Sequence, residues 1–142
     1  MATINPYLNF DGNTEEAFNF YKSVFGGEFS GLMRFKDVPS DTPSPGSDGN
    51  NIMHISLPIG NGNTLMGSDR PSSFGPGIQG DNFYISLQTD TDEEAKSKFK
   101  SLSAGGKIIM PIEKAFWGDL FGMLTDKFGV QWMVSHDYSK TN

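Results

Sequence analysis

The feature that most constrains this 142-residue chain is that it carries one plan twice. Residues 14–27, laid over 92–105, match Glu15 with Glu93, Glu16 with Glu94, Ala17 with Ala95, Lys22 with Lys100, Ser23 with Ser101 and Gly27 with Gly105. Asn13 stands at a capping position three residues before Glu16, and Thr91 stands likewise before Glu94. In that spacing a side-chain oxygen and a glutamate satisfy the first free amides of a helix. Ala17, Phe20, Tyr21 and Val24 recur at helical period, and Ala95, Phe99 and Leu102 repeat the stripe. Gly26-Gly27 and Gly105-Gly106 stop the two helices. Strand-like segments surround the first helix at 4–10, 28–36, 51–58 and 63–68, and the second at 82–89, 106–111, 119–125 and 130–136. Each half therefore reads βαβββ: an α+β fold of one domain over 1–142, with module one at 1–70 and module two at 80–137. The segments 37–50 and 69–81, rich in Pro, Gly, Ser and Asp, read as loops.

Alternation along the strands sorts their side chains into two faces. Ile4, Pro6, Leu8 and Phe10 oppose Asn5, Tyr7 and Asn9; Phe83, Ile85 and Leu87 oppose Tyr84, Ser86 and Gln88. Val130, Trp132 and Val134 oppose Gln131, Met133 and Ser135, while Met53, Ile55 and Leu57 oppose Ile52, His54 and Ser56. The apolar set must pack beneath the helices. The opposite set mixes amide, hydroxyl, imidazole, phenol and thioether groups, a composition that suits a ligand cavity better than open water.

Charge and composition exclude several classes of partner. A net charge of −6 with no basic stripe argues against nucleic acid, whose phosphates need clustered Lys and Arg. The absence of cysteine removes disulfides, thiolate metal sites and thiol nucleophiles. No apolar run reaches the roughly 20 residues that span a bilayer, and the start lacks the charged and apolar regions of a secretory signal. The expectation is a cytoplasmic protein with no membrane partner.

Several local signatures converge on a family. The run from Glu15 to Gly27 resembles the first helix of glyoxalase-like proteins, as do Met53-His54-Ile55, Thr64 to Asp69, Phe116 to Asp119 and Asp126 to Gly129. Together the chain resembles the glyoxalase/bleomycin-resistance (vicinal oxygen chelate) superfamily, in its PhnB-like branch. The resemblance implies a curved eight-stranded mixed sheet around a cavity, helices on the outer face, within a homodimer. In metal-dependent members the ligands, usually His, Glu, His and Glu, lie on the first, fourth, fifth and eighth strands. Carried across by register, those positions are Asn5, Met66, Tyr84 and Met133. Two thioethers, an amide and a phenol are a poor set for a divalent cation, so no metal and no cofactor is expected. Members of the branch carry a demethylubiquinone methyltransferase label. No glycine-rich turn here follows a strand and opens a helix, and Gly60-Asn61-Gly62-Asn63 reads as a hairpin turn.

The expected function is therefore small-molecule binding in a metal-free cavity lined by Asn5, Tyr7, Ser56, Met66, Tyr84, Ser86, Trp117, Gln131 and Met133. An alternative is a metal-independent isomerase or lyase with His54 as acid and base near neutral pH. A further alternative is a homodimeric interaction module. Trp117 is placed to cover a planar ligand or to anchor its loop, Asp119 to organise a turn, and Arg34 and Lys36 to steer an anion. His136, near an exposed C-terminus, is expected to be inert.

Overall fold

A computed structural model describes residues 2–38 and 48–140, so positions 39–47 of the loop expected at 37–50 lie outside the described residues. Contacts divide the chain into two compact units, Met1–Ile78 and Gln79–Asn142. The first contains β1 (Tyr7–Phe10), α1 (Thr14–Phe25), β2 (Gly31–Arg34), β3 (Ile52–Gly60) and β4 (Asn63–Asp69). The second contains β5 (Ile85–Gln88), α2 (Asp92–Ser103), β6 (Lys107–Lys114), β7 (Leu120–Thr125) and β8 (Gln131–His136). Each unit is the expected βαβββ, and each folds into its own four-stranded sheet, β1-β4-β3-β2 and β5-β8-β7-β6. In both, the outer strand before the helix runs parallel to its neighbour and the other pairs are antiparallel. Asn61 and Gly62 take φ of 53° and 77° between β3 and β4, the two-residue turn that matches strand twist. Among the described residues no helix is long and apolar enough to cross a membrane.

The core of unit one follows from a stripe that begins one residue after its expected cap. Thr14, Ala17, Phe18, Tyr21 and Val24 are buried, spaced i, i+3, i+4, i+7 from a polar residue. Phe18, not Phe20, therefore faces the sheet. Its ring lies over Gly67, where an added Cβ would meet Phe18 Cε1 at 2.7 Å. Thr14 can be buried because its hydroxyl donates to Asp69 Oδ1 at 2.7 Å. The expected cap, Asn13, makes no side-chain capping bond. Asp69, at the end of β4, does that work: Oδ1 also accepts from the amides of Gly12 and Thr14, and Oδ2 accepts from the amide of Ile52 at 2.8 Å. Arg34 makes a two-pronged contact with Glu15 at 3.0 and 2.7 Å and also donates to Asn50 O, while Lys36 donates to Asn50 Oδ1. The Arg34 hydrogen bond holds the Glu15 carboxyl below the usual glutamate range. The stability this half-exposed pair adds is present above that range and is lost as pH falls through the lowered value.

The alternation expected along β3 fails at its start. Ile52, Ile55 and Leu57 are all fully buried. Met33 pairs with His54 but the next residue, Arg34, pairs with Ile52. Met53 is thus the extra residue of a bulge, and Ile52 turns into the core where its amide reaches Asp69. Ile4 and Phe83, expected beneath the helices, precede the shorter strands and are 92% and 64% exposed.

Unit two repeats the packing with different polar anchors. Thr91 Oγ1 accepts from Glu94 N at 3.1 Å, the expected cap, and Ala95, Phe99 and Leu102 are buried. Gly122 leaves room for the Phe99 ring, whose Cε2 an added Cβ would meet at 2.7 Å. Trp132 is 0% exposed and donates to Asp126 Oδ2 at 2.9 Å. Asp126 Oδ1 meanwhile accepts the amides of Phe128 and Val130, closing the turn into β8. His136 lies at the end of β8. It is buried, with Nδ1 2.9 Å from Thr89 O. Among the described residues no buried side-chain nitrogen or oxygen lacks a hydrogen-bond partner.

Two predictions follow from these anchors. Asp69→Ala should lower unfolding stability by about 3 kcal/mol or more in urea titration, because it strands several buried donors, whereas Asn13→Ala should cost under about 0.5 kcal/mol. Trp132→Lys should cost about 4 kcal/mol or more and Met133→Lys under about 1.5 kcal/mol, since only the former places an unpaired charge in the core.

Candidate functional site

The faces turned away from the helices carry the expected site residues. In unit one, strand register aligns a row across all four strands: Tyr7 beside Met66, Met66 beside Ser56, and Ser56 beside Gly31. Ser56 is buried, with its hydroxyl 2.7 Å from that of Ser30. Gly31 leaves that hydroxyl its space, since a Cβ there would lie 3.2 Å from Ser56 Oγ. His54, two residues along β3, faces Met33 on β2. The Tyr7 hydroxyl lies 3.3 Å from His54 Nδ1, the two rings 5.8 Å apart. Asn5 sits before β1 and its Oδ1 accepts from Thr64 N at 3.2 Å. Asn9 and Ser68 are hydrogen-bonded beyond the row at 3.2 Å.

The Tyr7–His54 contact has two chemical forms. If the phenol donates to Nδ1, the imidazole presents an N–H at Nε2. If Nδ1–H donates to the phenol oxygen, Nε2 becomes an acceptor and the phenol hydrogen is free to donate outward. The pair can therefore offer a ligand either polarity without acquiring charge. Tyr7, 45% exposed, is open to such a ligand.

In unit two, a second row runs Ser86, Met133, Met123, Met110 across β5, β8, β7 and β6. Gln131 is fixed by donating from Nε2 to Phe83 O at 2.6 Å. Tyr84, just before β5, is half-buried. Trp117 lies in the turn between β6 and β7, which Ala115 N closes on Asp119 O at 2.7 Å, so Asp119 organises that turn through its backbone. The Trp117 ring meets Phe121 at 5.4 Å and Phe116 at 4.9 Å. Phe121 pairs with Ser135 on the same face as Met133.

Thus Tyr7, His54, Ser56 and Met66 come together in unit one with Asn5 alongside. Ser86 and Met133 are direct neighbours in unit two, and Trp117 joins their face through Phe121. Arg34, expected as an anion guide, is instead committed to Glu15 and Asn50. Sequence reasoning missed Ser30, Met33, Met110, Phe121 and Met123. The alternation of Phe121 and Met123 with buried Leu120, Gly122 and Leu124 was available as a signal. The positions of Ser30 and Met110 depend on strand register.

The residues expected at the superfamily's ligand positions, Asn5, Met66, Tyr84 and Met133, are a poor fit for a divalent cation. The oxygen of Asn5 is occupied by the Thr64 amide. Met66 and Met133 offer neutral sulfur and Tyr84 a neutral phenol, where a dication needs imidazole and carboxylate.

Comparison with known proteins accords with this geometry. Protein YjdN of Escherichia coli K12 is 32% identical over 140 residues, 93% of each chain. The crystal structure of protein PA1353 from Pseudomonas aeruginosa is 38% identical with a TM-score of 0.85, covering 96% of this chain and 98% of that one. A Bacillus cereus PhnB protein, described as a putative 3-demethylubiquinone-9 3-methyltransferase, is 28% identical with a TM-score of 0.75, covering 96% of this chain and all of its own. Residues 3–134 match the glyoxalase family itself, and the chain accordingly belongs to the Glyoxalase/Bleomycin resistance protein/Dioxygenase superfamily.

Proposed function

We propose that the chain is a glyoxalase-like small-molecule-binding protein that engages its ligand on the non-helical faces without a divalent metal. The superfamily fold supports small-molecule binding. The observation that carries the metal-free reading is the row of Tyr7, Met66 and Ser56 with His54 beside it. It is aromatic and thioether-rich, with hydrogen-bonding groups at fixed positions, which favours a partly apolar organic ligand. The methyltransferase name of the Bacillus protein is not carried over, because Asn61-Gly62 closes a hairpin and opens no helix. Elemental analysis of purified protein should find zinc, nickel, manganese and iron each far below one per chain. A thermal-shift screen should respond to organic metabolites and not to those ions. A stoichiometric divalent metal lost on Met66→Ala or Met133→Ala would overturn the reading.

A second reading, an isomerase or lyase with His54 as acid and base, is favoured by the 3.3 Å contact with Tyr7, which sets what Nε2 offers. His54→Gln should leave ligand binding within about threefold on either reading, but abolish turnover only on this one.

We infer that the protein works as a homodimer. Four strands, β1, β2, β5 and β6, end their sheets, and such edges are covered or blunted in stable proteins. β6 is blunted by Pro111 and by register shifts on both sides of Met110, so association through side chains is favoured over strand addition. Light scattering at micromolar concentration should give twice the 15.6 kDa chain mass. A mass near that of one chain would refute the dimer.

A further inference from the structure

The row on the non-helical face of unit two contains a chemistry not used above. Met110 is opposite Met123, and Met123 is opposite Met133, so three methionines occupy adjacent positions on three neighbouring strands. Residues paired in this way point to the same face, with strands separated by roughly 4.8 Å. A thioether on a flexible, unbranched stem can cross half that separation. Three sulfurs can thus meet one point above the central strand. Met123 and Met133 are partly buried and Met110 is 44% exposed, which leaves the point reachable from solvent. Along β6 the charged neighbours on this face are Lys107, opposite Thr125, and Glu113, opposite Phe121. Their opposite signs leave no net field to favour a dication, and the fourth residue of the row, Ser86, is neutral.

Neutral sulfur donors with no carboxylate among them select soft monovalent metal ions over hard or borderline divalent ones. We propose that Met110, Met123 and Met133 form a three-thioether site for a soft monovalent cation, Cu(I) or its redox-silent analogue Ag(I). The bulges of β6 are what create it. Two register shifts bring Met110, rather than Ile109 or Pro111, opposite Met123. The site overlaps the positions expected to correspond to the superfamily's divalent-metal ligands at Met133 alone; Met110 and Met123 lie outside them.

The test is titration of the full-length protein with silver nitrate in chloride-free buffer, followed through the methionine methyl resonances of 13C-labelled protein. The methyl signals of Met110, Met123 and Met133 should shift together and saturate at one Ag(I) per chain, while those of Met33, Met53 and Met66 stay in place. Zinc should shift none of them. Met123→Leu keeps the volume and removes the central sulfur, so it should weaken Ag(I) binding at least tenfold. Met110→Leu, at a half-exposed edge position with little effect on folding, should weaken it by a similar factor. Equal shifts at every methionine, saturation that follows Met33 or Met66, or affinity unchanged in both leucine variants would overturn the site. None of these outcomes bears on whether an organic ligand binds, so failure here is distinguishable from failure of the metal-free reading.

Discussion

One buried carboxyl group holds unit one in its arrangement. Asp69 accepts from Gly12, from both the amide and hydroxyl of Thr14, and from Ile52. It thereby joins the end of β4 to the start of β3 and to the start of α1, 55 residues away in sequence. Hydrogen bonds to a buried side chain are costly to leave unmade, so each donor fixes the others. Turning Ile52 inward to reach Asp69 forces the extra residue at Met53, and beyond that bulge the strand resumes with His54 and Ser56 on the face away from the helix. The geometry of the candidate site is in this sense a consequence of how the helix is capped.

Unit two reaches the same topology with the polar work distributed differently. α2 is capped locally by Thr91, so no carboxyl from the last strand is needed at its start. His136, at the end of the last strand as Asp69 is in unit one, donates from its ring to the carbonyl of Thr89 instead. Asp126 anchors the turn into β8 and the indole of Trp132. What both units keep is a glycine beneath a helix phenylalanine, Gly67 under Phe18 and Gly122 under Phe99. Close approach of helix to sheet depends on that missing side chain. The duplicated framework is preserved by packing, while its hydrogen-bonding anchors have diverged.

This division explains what could be read from the sequence. Local rules disclosed both helices, all eight strands, the Asn61-Gly62 turn and the Thr91 cap, because each depends on residues within a few positions of one another. Asp69 could not be found that way, since it caps a helix from 55 residues downstream, and Asn13 offered a plausible local substitute. Phe20 was preferred to Phe18 for the same reason: the stripe starts at a threonine, which looks polar until its partner is known. Alternation correctly put Tyr7, Ser56 and Met133 on the non-helical faces, and failed at Ile52, where a bulge intervenes. Two neighbours of the site, Met33 and Met110, come from strand register. Register here is set by bulges that no single-strand pattern reveals.

The replacement of imidazole and carboxylate by thioether, amide and phenol changes what such a fold can do with a ligand. A bound dication stabilises negative charge developing on a substrate oxygen and needs no proton to do so. On these faces that task would fall to hydrogen-bonding groups such as the Tyr7 phenol and the His54 imidazole. Thioether and aromatic groups, in turn, add little desolvation cost to the approach of an apolar ligand. The same substitutions that weaken the platform for polar catalysis therefore favour retention of an uncharged molecule. On the enzymatic reading the proton would be carried by His54, where what Nε2 offers is set by the hydroxyl 3.3 Å away on the other side of the ring.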